Sequence, residues 1–121
     1  MIAPYLANQL LNRVFRESGA VYMALHLREP GSVGDGEMTG GGYGRQMVEF
    51  GEASLGQIRS RKTVDFPDLP AGIIQHLGFW DAKNGGHFLW GVALDAERAI
   101  QNDGDWFRVP AEAVEIAIGG A

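Results

Sequence analysis

At 121 residues the chain supports one domain around one core, residues 1–121, and its 45% hydrophobic content is ordinary for a folded protein. A net charge of −5 argues against a protein that wraps nucleic acid, because phosphate binding needs a basic surface, and the lack of cysteine excludes disulfides and thiolate metal sites. No apolar run approaches the ~20 residues of a membrane-spanning helix. The N-terminus has no basic region followed by an apolar stretch, so no secretory signal is expected. Glycine is abundant at 18 residues, and the glycines fall between apolar runs, which reads as turns rather than as disorder.

The chain opens with a helix over about 4–17. Leu6, Leu10, Leu11, Val14 and Phe15 share one apolar stripe, Pro4 suits the first turn and Gly19 suits a left-handed position after the last. From Val21 the period changes to two: Val21, Met23, Leu25 and Leu27 alternate with Tyr22, Ala24, His26 and Arg28, the pattern of a half-buried strand. Arg28-Glu29-Pro30-Gly31 breaks it and opens a glycine-rich loop over about 28–42. Tyr43–Phe50 then reads as a second strand. Gln57–Phe66 reads as a third, ended by Pro67 and Pro70. Ile73–Trp80 and His87–Leu94 form a hairpin around Asn84-Gly85, a dipeptide that favours a type I′ turn. Asp95–Arg98 is a short turn. Asn102–Asp105 makes a second tight turn that sets Ala99–Gln101 against Trp106–Val109. Val114, Ile116 and Ile118 mark a last strand. Short strands with Gly, Pro and Asn turns predict a mainly β domain, an antiparallel β-sandwich or jelly-roll-like barrel with one N-terminal α-helix.

Tyr22, Ala24, Leu25, His26 and Pro30, followed by Gly40-Gly41-Gly42-Tyr43, Arg45-Gln46, Val48 and Phe50, resemble a family of small bacteriophage virion proteins described as tail or tail-fibre proteins. The order of segments continues the resemblance through Val64-Asp65-Phe66-Pro67, Gly78-Phe79-Trp80-Asp81-Ala82 and Gly85-Gly86, so that it spans about Pro4 to Gly119. It implies a non-enzymatic virion part, made in the bacterial host cytoplasm and working through contacts with other virion proteins. Two placements fit: the tail or tail fibre, and a capsid decoration (cement) role, which small size, acidity and the absence of a fibrous repeat suit equally. Self-association is expected, with a trimer favoured, and major capsid or tail proteins are the expected partners. Residues Arg28, Glu29, Pro30, Tyr43, Arg45, Arg59 and Arg61, with the N-terminal helix, are the expected subunit contacts.

Other chemistry has little support in the residues. Gly40–Gly44 lacks the lysine and helix start of a phosphate cradle. His26, His76 and His87 lack metal-ligand spacing, and the acids Glu29, Asp35 and Glu37, or Asp103 and Asp105, lack a calcium-loop layout. Ser18, Ser32, Ser54 and Ser60 have no nucleophile context. No cofactor, metal or enzymatic activity is expected. Arg59-Ser60-Arg61-Lys62 reads either as a solvated strand face or as a patch for an acidic neighbour. The aromatics Trp80, Trp90, Trp106, Tyr5, Tyr22 and Tyr43 leave a host-glycan-binding module as the alternative, with Trp90 in the core and Trp80 and Trp106 free to be exposed. The loop 28–42 is long for a compact domain, and reads either as a flexible turn or as an arm that orders against a neighbour.

Overall fold

A computed structural model describes residues 1–118. The last three positions of the expected domain, and with them the end of the resemblance at Gly119, lie outside the described residues. Helix α1 covers Pro4–Asn12 and runs on into a wider π turn over Arg13–Glu17, so the expected extent holds while the last turn is looser. Ser18 closes it, its N–H donating to the Arg13 carbonyl and its hydroxyl to the Val14 carbonyl. The buried stripe differs from the expected one. Ala7, Leu11 and Phe15 are buried, whereas Leu6 and Leu10 are half-exposed. The cause is a polar attachment: Asn8 Oδ1 accepts the Gly56 N–H at 2.8 Å and Asn12 Oδ1 the Ala53 N–H at 2.9 Å. Those two bonds rotate the helix so that its asparagine flank faces the 53–56 segment.

Among the described residues eight strands follow: β1 Val21–His26, β2 Gln46–Val48, β3 Gln57–Arg59, β4 Val64–Leu69, β5 Gly72–Trp80, β6 Phe88–Ile100, β7 Asp105–Val109 and β8 Glu115–Ala117. They form a four-stranded sheet in the order β2-β1-β5-β6 and two ribbons, β3-β8 and β4-β7, all antiparallel. The domain is mainly β with one N-terminal helix, as expected. The three sheets do not close into a barrel, and the arrangement is sandwich-like.

One continuous core joins Met23, Leu25, Leu77 and Phe79 of the sheet to Leu11 and Phe15 of the helix and to Ile58, Phe66, Phe107 and Ile116 of the ribbons. Because side chains alternate along a strand, the opposite face of the sheet carries Ala24, His26, Gly78 and Trp80. That second face is also buried.

Several local expectations are corrected. Gln57–Phe66 is two strands with different partners, because the chain breaks at Ser60, whose buried hydroxyl accepts the Val114 N–H. Strand β4 continues through Pro67, with a bulge at Asp68 (φ 54°), a place where proline is tolerated. The β5–β6 hairpin is present, but β6 extends to Ile100 and absorbs Asp95–Arg98 as a bulge between Ala93 and Arg98. Its turn places positive φ on Gly85 and Gly86, not on Asn84 and Gly85, and the Asp81 carboxylate closes it by accepting the His87 N–H. Strand β7 pairs with β4 rather than with Ala99–Gln101. Ile100 is in register with Gly72, and the 102–105 turn docks on the end of β4 through Gly104 N–H to the Leu69 carbonyl.

The rotated helix has a direct test. Leu11→Ala is expected to cost about 2–5 kcal/mol, the range for a fully buried leucine. Leu10→Ala, at a half-exposed position, should cost far less. Urea unfolding of the two variants beside the parent chain reads the difference, and equal losses would restore the expected stripe.

Candidate functional site: a glycine-rich loop clamped to its own sheet

The loop 28–42 leaves β1 and returns along it. Leu27 N–H donates to the Gly36 carbonyl and Met38 N–H to the Leu25 carbonyl, while Gly34 and Asp35 N–H groups share the Pro30 carbonyl. The loop thus lies over the second face of the sheet. Pro30 is buried and sits against Gly91. Gly34, at φ +82°, passes so close to the Trp80 indole that a Cβ there has no room. Beneath the loop, His26, Trp80 and Phe88 form a small cluster with ring centroids 5.4–6.4 Å apart. Gly78 leaves space for the His26 ring. The loop is therefore folded on its own chain.

A polar clamp holds it there. The Arg45 guanidinium forks onto Glu37, Nε to Oε2 at 3.0 Å and Nη2 to Oε1 at 2.9 Å. Its Nη1 donates to the carbonyls of Ala82 (2.8 Å) and Gly85 (2.7 Å) in the β5–β6 turn. Its flat face lies 3.9 Å from the Trp80 ring centroid, a cation–π arrangement. Arginine suits this place because one rigid planar group serves a carboxylate, two carbonyls and an aromatic face together. Tyr43 completes the clamp. Its hydroxyl donates to Glu37 Oε2 at 2.6 Å and accepts the Leu25 N–H at 3.1 Å, just past the point where β2 stops pairing with β1. Its ring stacks on Phe66.

The electrostatics follow from this geometry. Burial alone would raise the Glu37 pKa, but the hydrogen bonds from Arg45 and Tyr43 and the guanidinium charge outweigh it and hold the carboxyl below its ordinary range. Burial, with Glu37 adding to it, pushes the Tyr43 hydroxyl far up. Burial lowers the pKa of His26, against the opposing pull of the Asp35 carbonyl and Glu37. The His26 Nδ1 contact to the Asp35 carbonyl, at 2.7 Å, puts the proton on Nδ1 and leaves Nε2 buried without a partner.

The expected contact residues are thus spread over three places. Arg45 is 8% exposed, and both it and Tyr43 direct their polar groups into the clamp. Arg28 and Glu29 are exposed at the start of the loop, and Pro30 is buried beside them. Arg59 and Arg61 are exposed elsewhere, Arg59 pairing with Glu115 on β8 and Arg61 lining a cleft with Phe15 and Val48. The sequence offers Glu37 only as a calcium-ligand candidate, and the structure makes it the acid of the clamp instead. The available signal is its charge, opposite to that of Arg45 eight residues on, with no other charge between the two. Trp80 is covered by the loop, whereas Trp106 is 53% exposed. Among the described residues no three His, Cys, Asp or Glu side chains group as a metal site.

A family model described as podophage GP4 fiber I protein gp80 matches residues 1–117. The chain belongs to that family. This phage fibre-family protein is therefore a structural component of a virion, and the clamp is how this domain holds its glycine-rich loop. No curated protein matches the chain.

Two measurements probe the clamp. Arg45→Met leaves Glu37 partly buried without its partner and should cost about 2–4 kcal/mol, somewhat less than for a fully enclosed pair because the Glu37 side chain is 21% exposed. Adding Glu37→Gln should recover part of the loss, and amide exchange across 28–42 should speed up in the single variant. An Arg45→Met variant with unchanged exchange would show that the loop does not depend on the clamp.

The second measurement is pH. His26 has a folded pKa below its ordinary 6.5, so its contribution to stability is present above that value and is lost as pH falls toward the folded value. Glu37 adds a loss only further down, below its ordinary 4.5. Urea midpoints should therefore fall between about pH 7 and about pH 5, and His26→Gln should flatten that slope. An unchanged slope would assign the dependence to other groups.

Proposed function

We propose that this chain is a non-enzymatic structural part of the phage fibre, working by adhesion to copies of itself and to neighbouring tail proteins. The family match over residues 1–117 carries the reading. The site geometry supports it. Glu37, an acid enclosed beside a histidine and a tyrosine, has both oxygens engaged by Arg45 and Tyr43, which leaves it unsuited to proton transfer. Exposed apolar side chains meanwhile gather on the helix and the nearby hairpin: Tyr5, Leu6, Leu10 and Leu55. Exposed apolar groups held on ordered elements suit protein–protein contact, and repetition on a virion would add avidity to individually weak contacts. A trimer is the assembly we favour. Arg59 and Arg61, which share a cleft with Leu55, remain the polar part of that proposed contact surface, where charge sets orientation more than affinity, and Arg28 and Glu29 at the start of the loop would serve a separate contact.

The fibre placement is preferred to capsid decoration because the family is a fibre family. The glycan-binding alternative keeps only part of its aromatic set, since Trp80 lies under the loop and Tyr43 in the clamp, while exposed Trp106 and Tyr5 stand on β7 and on the helix. Fractionation of purified particles tests the placement. The chain should appear in the tail and fibre fraction and be absent from capsids that lack tails. Saturating incorporation into tail-less capsids would overturn it in favour of decoration.

A further inference from the structure

Among the described residues three non-glycine positions have positive φ: Leu55 at 54°, Asp68 at 54° and Glu112 at 64°. Asp68 is of a type that tolerates the left-handed region, because a short polar side chain can bond locally. Leu55 has no such compensation, and it is 82% exposed. It occupies the first tip position of a two-residue hairpin, where Ser54 and Gln57 exchange both N–H to carbonyl bonds. Asparagine is the residue this turn prefers. A leucine here is unfavourable twice over, in backbone conformation and in exposure, which points to a use outside the monomer.

The tip is also held rigidly. Asn8 and Asn12 of α1 bind the Gly56 and Ala53 amides, so Leu55 projects from a fixed base, with exposed Tyr5 three residues before Asn8 on the helix. Little conformational freedom is left to lose on docking. Arg16 flanks the tip through its bond to Asn12, and has no acidic partner among the described residues.

A receptor for such a knob lies on the same chain. A groove of about 350 Å³ opens between β6 and β7, lined by Leu77, Val92, Leu94, Phe107 and Val114, with Asp95, Glu115 and Arg108, the last already paired with Asp65, as its charged lining. Asp95 has no ion-pair partner among the described residues and is the charge complement of Arg16. Knob and groove sit at opposite ends of the β3-β8 ribbon. The Leu55 tip adjoins the Gln57↔Ala117 end, and the groove adjoins Glu115 at the other. A chain cannot fill its own groove across that ribbon, but a second copy can. We propose that Leu55, with exposed Tyr5 of the helix that anchors the tip, inserts into the β6–β7 groove of a second copy of this chain, with Arg16 meeting Asp95, in a head-to-tail contact. Contacts of this kind close into rings or propagate as filaments. The proposal rests on the adhesive reading above and specifies which surfaces meet.

Mass in solution over a range of concentrations, on the full chain, tests it. The parent chain is expected to self-associate. Leu55→Asn should weaken association by at least about tenfold while leaving thermal stability of the monomer unchanged or raised. Arg16→Asp and Asp95→Arg should each weaken association, and the double charge swap should restore it. Mixing Leu55→Asn with Asp95→Arg should yield one-to-one pairs, because each variant keeps the half that the other lacks. Self-association of Leu55→Asn at the parent's strength, a charge swap that restores nothing, or a parent chain that stays monomeric would each overturn the proposal. Fractionation of particles would still place a monomeric chain in the fibre, so failure of this contact is distinguishable from failure of the fibre reading.

Discussion

The Glu37–Arg45 pair is the interaction on which the arrangement of this domain depends. It links three segments distant in sequence: the glycine-rich loop through Glu37, the start of β2 through Arg45, and the β5–β6 turn through the Ala82 and Gly85 carbonyls. An ion pair withdrawn from water contributes less net stability than its geometry suggests, because desolvation offsets much of the attraction. Its larger effect is to select one position for the loop. A loop with so many glycines has many conformations available, and apolar contact alone would choose poorly among them. A forked, directional bond at one end and buried Pro30 at the other leave it few alternatives.

The covered second face follows from that selection. His26, Trp80 and Phe88 are a histidine and two aromatics on the side of the sheet away from the main core. Without the loop they would be exposed and the face would be adhesive along its length. With the loop in place the sheet is buried on both sides around Ala24, His26, Gly78 and Trp80. Gly78 and Gly34 are small because rings occupy the space where their side chains would be. The loop acts as a further layer of the fold.

This explains which parts of the structure were readable from the sequence. The period-two pattern of Val21–Leu27 and the apolar runs of the β5–β6 hairpin report burial against one core, and β1 and β5 are where they were expected, while β6 runs on past Leu94 to Ile100. The same pattern placed His26 and Trp80 on the open side, because alternation assumes that a polar parity faces water. It carries no information about a loop that folds back over that parity. The break at Ser60 was hidden for a related reason. Ile58 and Val64 are both buried, but on different ribbons, and even spacing cannot distinguish one strand from two. The pairing of β7 with β4 depends on the 102–105 turn docking on Leu69, a contact between residues more than thirty apart that local turn chemistry does not specify. In the clamp, Tyr43 and Arg45 stood out by type but were assigned outward. Their actual partner, Glu37, lay in a stretch whose glycines suggested freedom rather than attachment.

Covering both faces of the sheet also confines where such a domain can meet its neighbours. Over β1 and β5 contact through the broad faces is closed, one by the core and the other by the loop, and only toward β6 do they open. What remains are ends and edges: the outer side of α1, the hairpin tip at Leu55, the β6 edge and the groove beside it. A free strand edge ordinarily invites indiscriminate pairing, and the bulge between Ala93 and Arg98 interrupts the regular ladder that a foreign strand would need. Asp95 and Glu97 in that bulge add charge to the same edge. Small, separate contact points on a rigid body give weak individual contacts with defined orientation. That combination suits a part repeated along a virion, where number supplies strength and geometry must be reproduced at every copy.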